Sequence, residues 1–144
     1  MIALDTNLLV YAHRSRTPEH LKARKAVEAA HASRDGCGIA LPCLAEFWAV
    51  ATHPESRGRA STAAEAHAFL RALIDDAGIG VWVPEEGFER RLLEVADDLG
   101  VRGARVFDLQ IAILAIENGA TEIWTHDAGF VTLPGLRKVD PLQG

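Results

Sequence analysis

Short apolar runs alternate with longer amphipathic stretches along this chain, and that alternation restricts its fold more than any other feature. The first run, Met1-Ile2-Ala3-Leu4, stops at Asp5-Thr6-Asn7. It reads as a buried strand. Helical spacing follows over residues 6–13, and again from Pro18-Glu19 to about Ser33, where Leu21, Ala26, Val27 and Ala30 share a face and Asp35-Gly36 ends the pattern. Residues 38–41 read as a second strand, and Pro42 suits the first turn of the next helix. That helix carries Leu44, Phe47, Trp48 and Ala51 at helical spacing, with Glu46 on another side. Residues 53–59 form a loop. Ser61 or Thr62 caps a further helix with Glu65 at capping-box spacing, and Ala66, Phe69, Leu70, Leu73 and Ile74 form its stripe. Residues 80–83 make a third strand. A helix over residues 86–99 turns Phe88, Leu92, Ala96 and Leu99 inward, and residues 109–116 are apolar almost all round, as a central helix requires. Ile123-Trp124 and residues 136–139 complete the strands. Strands alternating with helices predict an α/β fold: three layers, with a central, mostly parallel, four- or five-stranded sheet flanked by helices. At 144 residues and 49% apolar content, residues 1–144 are expected to form a single domain around one core.

Four acids stand at the junctions of these elements. Asp5 follows strand one. Glu46, in Cys43-Leu44-Ala45-Glu46, lies in the turn and helix after strand two. Asp108 sits where the central helix should begin, and Asp127, in Trp124-Thr125-His126-Asp127, follows strand four. Sites in open parallel sheets form outside the carboxyl ends of the strands, near the point where strand order reverses. All four acids can reach that edge. Two carboxylates ~4 Å apart repel by roughly 4 kcal/mol at an effective dielectric of about 20, a large fraction of the roughly 5–15 kcal/mol that holds a domain folded. A cation neutralises them, one acid takes up a proton, or a lysine or arginine intrudes. Hard oxygen ligands without a cysteine or histidine set favour Mg²⁺ or Mn²⁺, as one ion or two. Such a site suits hydrolysis of a phosphodiester by a metal-activated water. The hydroxyls of Thr6 and Thr125 can orient the acids.

The net charge of −5 argues against generic, charge-driven binding of nucleic acid, but the four acids account for most of that excess and bound cations would offset them. Contacts to a nucleic-acid backbone would then fall to local arginines: Arg57, Arg59, Arg102 and Arg105, with Arg105 also a candidate counter-charge to the acids. The pairs Asp75-Asp76 and Asp97-Asp98 lie near the ends of amphipathic helices and read as solvated charge. The histidines are scattered without ligand spacing, and His126 reads as pointing away from the acids. Cys37 and Cys43, at the two ends of a strand, would stand roughly 20 Å apart, beyond disulfide reach. Separate thiols, an apolar N-terminal run broken at Asp5, and the lack of a stretch of ~18 apolar residues lead to the expectation of a cytoplasmic protein with no targeting segment and no membrane partner.

The opening Ile2-Ala3-Leu4-Asp5-Thr6-Asn7-Leu8-Leu9-Val10-Tyr11 is similar to the first motif of the PIN-domain ribonucleases, and of VapC-type toxins of bacterial toxin–antitoxin pairs in particular. Glu46 fits the second motif. Asp108-Leu109-Gln110-Ile111-Ala112 with Asn118-Gly119-Ala120, and then Thr125-His126-Asp127-Ala128-Gly129-Phe130, resemble the third and fourth. The resemblance runs over nearly the whole chain in order and spacing. It implies Asp5 and Asp108 as principal metal ligands, Asp127 and Glu46 completing the acidic pocket directly or through water, and Thr6, Asn7 and Thr125 in support. It also implies RNA as substrate, a small cognate antitoxin as inhibitor, and a homodimer. A phosphatase of the haloacid-dehalogenase type also begins with a strand ending in Asp, but expects a second Asp where this chain has Asn7. A phospho-receiver module expects its acceptor Asp after strand three, where Val83 is followed by Pro84. A PIN fold that binds RNA without cutting it is a further alternative.

Overall fold

A computed structural model describes residues 1–55 and 59–143. Strand β1 (Ile2–Leu4) is buried at every position and pairs in parallel on both sides, with β2 (Cys37–Ala40) and with β4 (Glu122–Trp124). Strand β3 (Gly80–Trp82) flanks β2 and β5 (Arg137–Val139) flanks β4, giving the order β3-β2-β1-β4-β5 with every pairing parallel. Helices α1 (Thr6–His13) and α2 (His20–Ala32) connect β1 to β2. Helices α3 (Leu41–Thr52) and α4 (Ala63–Arg71) connect β2 to β3, and α5 (Phe88–Leu99) and α6 (Arg105–Glu117) return the chain to β4. Parallel crossovers are right-handed. The outward steps β1→β2→β3 and the return β3→β4 therefore lay their helices on opposite faces of the sheet, which makes three layers.

The core explains why the strands can be so short. Leu4, Ile39 and Ile123 from the sheet, Leu8 and Leu9 from α1, Phe47 from α3, and Leu109, Ile111 and Leu114 from α6 are all buried completely or nearly so. Helix α6 buries residues all round its circumference, as its composition predicts. In β2, Gly38 leaves room for the Trp82 indole of β3: a Cβ there would stand 2.2 Å from Cζ2. The cap of α4 is Thr62, with the complete capping box to Glu65.

Several boundaries and faces differ from the sequence reading, each for a physical reason. The sheet itself agrees with that reading, being five-stranded and wholly parallel. Leu41 belongs to the first turn of α3, not to β2, because Pro42 fixes a helical φ immediately after it. Leu21 and Leu99 are 67% and 52% exposed, since the small residues Ala23, Ala26 and Ala30 make the buried face of α2 and the inward face of α5 ends at Ala96. Trp48 is 38% exposed. After Arg71 the helix widens by one residue per turn over Ala72–Asp76, so Leu73 and Ile74 are half-buried instead of continuing a regular stripe. Helix α6 begins at Arg105, so Asp108 lies in its first turn and not at its start. Cys37 and Cys43 are separate thiols, and burial pushes Cys37 up to about 11. Among the described residues no helix is long and apolar enough to cross a membrane.

Candidate active site

The chain leaves β1 outward to β2 and β3, then returns to place β4 on the other side of β1. Strand order therefore reverses between β1 and β4, and that switch point is where a crevice opens at the carboxyl edge. Asp5 leaves β1 at this edge, its N–H still donating to Trp124 O of β4 at 3.0 Å. It is the N-cap of α1, with extended backbone, and its Oδ1 accepts from Thr6 N–H at 2.8 Å. Its Oδ2 accepts from the Thr125 hydroxyl at 2.7 Å and from Asn7 Nδ2 at 3.3 Å. Burial pushes the Asp5 carboxyl above its ordinary value; the hydrogen bonds from Thr125 and Thr6 oppose this, and the charges of Asp108 and Asp127 reinforce it.

Asn7 is a brace. Its Nδ2 also donates to Thr125 Oγ1 at 3.1 Å, and its Oδ1 accepts from His126 N–H at 3.0 Å, tying α1 to the exit of β4. Across the crevice, Thr6 Oγ1 donates to Glu46 Oε2 at 3.2 Å. The other oxygen of Glu46, Oε1, is buried with no hydrogen-bond partner among the described residues. Burial, and then the charge of Asp5, push the Glu46 carboxyl up as well.

Asp108 and Asp127 are held differently. Arg105 Nη1 donates to Asp108 Oδ2 at 2.9 Å and to Asp127 Oδ2 at 2.6 Å. Asp108 Oδ2 also accepts from Val131 N–H at 3.2 Å, and Asp127 Oδ1 accepts from Gly129 N–H at 2.9 Å. The guanidinium of Arg105 holds Asp127 below the ordinary carboxylate range.

All four sequence-predicted acids, together with Thr6 and Asn7, line one cleft of about 660 Å³. Thr125 lies beneath it, 1% exposed, bonded to Asp5. They meet in a common cleft, not in a closed ligand set: among the described residues no three acidic, histidine or cysteine side chains stand at ion-holding spacing. Arg105 fills the gap between two of the acids. The donor set nonetheless fits a hard divalent cation: it is all oxygen, two of its carboxylates are desolvated, and the Glu46 Oε1 is buried without a partner.

The arginines divide. Arg105 joins the acids, as its role of counter-charge predicts. Arg59 pairs with Glu65 at 2.9 Å, beside a smaller pocket near Ser61, and Arg102 is exposed in the loop before α6; neither lines the acidic cleft. Arg57 lies outside the described residues. His126 turns its Nδ1 toward Asp140 Oδ2 at 2.9 Å. Asp75, Asp76, Asp97 and Asp98 are exposed.

The sequence reading missed the far half of the cleft, lined by Tyr11, Arg14, Thr17 and His53. Arg14 is 8% exposed, caps the C-terminus of α1 and donates from Nη2 to Val50 O at 3.0 Å. The signal was present in the spacing: Asn7, Val10, Tyr11 and Arg14 fall at i, i+3, i+4 and i+7, one face of α1. At a rise of ~1.5 Å per residue, the caps Asp5 and Arg14 stand about 14 Å apart along the helix.

Comparison with known proteins places this geometry. Ribonuclease VapC43 of Mycobacterium tuberculosis is 29% identical over 144 residues, which is 100% of this chain and 97% of that protein. Ribonuclease VapC48 of the same species is 28% identical over 140 residues, 97% of each chain. Among solved structures, the sarcin-ricin loop cleaving toxin VapC20 of M. tuberculosis superposes with a TM-score of 0.68 at 14% identity, over 92% of this chain and 98% of that one. The family model for the PIN domain matches residues 2–136, from β1 to the entrance of β5. This chain belongs to the PIN-domain family.

Proposed function

We propose that the protein is a metal-dependent endoribonuclease, the toxin of a toxin–antitoxin pair. The observation that carries this reading is the meeting of Asp5, Glu46, Asp108 and Asp127 in one cleft at the switch point of a PIN fold. The full-length similarity to ribonucleases named VapC supports it.

Asp5, Glu46 and Asp108 would hold Mg²⁺ or Mn²⁺, with Asp127 at the rim. When bound, the cation supplies a lowered pKa for the attacking water and neutralises charge on the phosphate. The rest falls to the protein. Thr125 and Asn7 fix the Asp5 carboxylate in one orientation, and Thr6 turns Glu46 toward it. Arg14 and Tyr11, further along the cleft, receive the RNA strand: a cation for a phosphate and a ring for a base. Cytoplasmic location, a homodimer and a small cognate antitoxin that fills the cleft complete the proposal.

The phosphatase alternative loses its acid, because Asn7 serves as a brace between two elements. The receiver alternative loses its acceptor site, because β3 is an edge strand followed by Val83-Pro84.

The test is cleavage of RNA with Mg²⁺ or Mn²⁺ by the parent protein, Asp5→Asn and Asp108→Asn, with sequencing of the product ends. Cleavage by the parent alone, leaving 5′-phosphate and 3′-hydroxyl ends, is expected. Equal cleavage by all three, or cyclic phosphate ends, would reject the reading.

A further inference from the structure

The four carboxylates are not equivalent, and the difference bears on how many ions the site takes. Asp108 and Asp127 share a cation already: a single nitrogen, Arg105 Nη1, lies 2.9 Å from one carboxylate oxygen and 2.6 Å from the other, the place a bridging metal takes between two acids. Asp5 and Glu46 have no such partner. The groups that donate to them are a backbone N–H, two hydroxyls and an amide, all neutral, and one Glu46 oxygen is buried without any donor among the described residues.

A second observation shows that the chain makes room for the arginine. Gly129 follows Asp127 by two residues and is not among the glycines with positive φ, so its backbone does not require glycine. Space does. A Cβ at position 129 would stand 2.3 Å from Arg105 Nη2 and 3.0 Å from Cζ. The missing side chain is the seat of the guanidinium, and any larger residue would make Arg105 shift from its present seat between the carboxylates.

We propose that Arg105 takes the place of a second metal ion, so that this site binds one divalent cation, on the Asp5–Glu46 side with Asp108 shared between that ion and the arginine, and closes its Asp127 side with a side chain. The inference rests on the metal-dependent reading above and narrows it. A guanidinium suits the role because it stays charged throughout the physiological pH range and presents donors in a fixed plane. It gives the Asp108–Asp127 pair a permanent positive partner whose presence does not depend on metal supply. The half that lacks a built-in cation is then the half that must recruit one.

The experiment is a count of bound ions. Metal-free protein is titrated with Mn²⁺, with calorimetry for stoichiometry and electron paramagnetic resonance for free ion, on the parent, Arg105→Gln and Gly129→Ala. Melting curves before titration establish that each variant is folded. One ion per chain is expected for the parent and two for both variants, the second going to Asp108 and Asp127. Two ions on the parent would overturn the inference, as would a single ion on folded Arg105→Gln. Should Arg105→Gln fail to fold, the parent count and Gly129→Ala decide. RNA cleavage by the same samples separates the two levels. A parent that cleaves with two ions bound refutes the arginine's role and leaves the ribonuclease reading standing, whereas a parent that binds no ion and cleaves nothing refutes both.

Discussion

The Thr125 hydroxyl donates its one proton to Asp5 Oδ2 at 2.7 Å across 120 residues of sequence, and Thr125 Oγ1 itself accepts from Asn7 Nδ2 and from Asp127 N–H, both at 3.1 Å. Every hydrogen-bonding capacity of the hydroxyl is used. Thr125→Val keeps the shape but takes the acceptor from Asp127 N–H and one of the two acceptors from Asn7 Nδ2, and leaves Asp5 Oδ2 with the longer bond from Asn7 alone. It is expected to cost about 1–3 kcal/mol of stability, seen as a lower urea midpoint. Thr125→Ser should restore most of the loss. A midpoint unchanged in Thr125→Val would show that water substitutes for the hydroxyl.

Removing charge at Asp5 should act in opposite directions on stability and on activity. Asp5→Asn relieves the burial cost of a carboxylate and its repulsion with Asp108 and Asp127, so metal-free Asp5→Asn is expected to melt higher than the metal-free parent, by an amount on the order of 1 kcal/mol. The same substitution is expected to lower the RNA cleavage rate a hundredfold or more (~2.7 kcal/mol in barrier). Scanning calorimetry and single-turnover cleavage check the two halves, and a lower melting temperature for Asp5→Asn would contradict the first.

Metal should stabilise the parent in a pH-dependent way. Asp5 and Glu46 have proton affinities raised above their ordinary values of 3.8 and 4.5, so the folded, metal-free state is favoured while they are protonated and loses that advantage as pH climbs through the raised values. Asp127 behaves oppositely, since Arg105 holds it low: its contribution is present at neutral pH and disappears on acidification below its ordinary 3.8. A divalent ion competes with the protons on Asp5 and Glu46. At a hundredfold excess over its dissociation constant it adds ~2.7 kcal/mol. The rise in melting temperature with Mn²⁺ is expected to vanish at low pH and grow through the range above 4.5. A rise independent of pH would place the ion elsewhere.

Arg14 and the acids occupy opposite ends of one cleft. Arg14→Met is expected to raise the KM for RNA about tenfold (~1.4 kcal/mol), leaving the Mn²⁺ affinity and the ends of the products unchanged. Loss of metal binding in this variant would mean that Arg14 shapes the acidic end itself.

Gly38→Ala tests the packing of the sheet independently of chemistry. Its methyl group would collide with the Trp82 indole, and overpacking of this kind costs about 1–3 kcal/mol. Gly38→Ala combined with Trp82→Phe should recover part of the loss.

Much of this arrangement was legible from residue order because the decisive features are local. Asp5 and Asp127 are announced by the apolar strands they follow, while Glu46, inside α3, is announced mainly by its place in the motif pattern. Asp108 was legible as an acid near the start of the central helix, although the helix begins three residues earlier: with no side-chain cap at Ala104, the first turn carries no local signal. Faces were harder to read. Leu21 and Leu99 look like core residues because leucine is commonly buried, yet the tight approach of α2 to its neighbours is made by alanines and leaves Leu21 outside. Arg14 was overlooked for the converse reason: its one signal is the helical spacing it shares with Asn7, Val10 and Tyr11, and an arginine at a helix end ordinarily reads as solvated. Arg105 was legible as a counter-charge to the acids, but its bridge from Asp108 to Asp127 depends on a contact between α6 and the loop after β4, a long-range relation that spacing does not encode.

The sheet order has a consequence for the making of the protein. Asp5 emerges from the ribosome 120 residues before Thr125, which fixes its carboxylate, and still further ahead of Asp127. A nascent chain thus carries half of a cutting edge with nothing to set it against, and the centre can assemble only after β4 and the residues that follow it have been made.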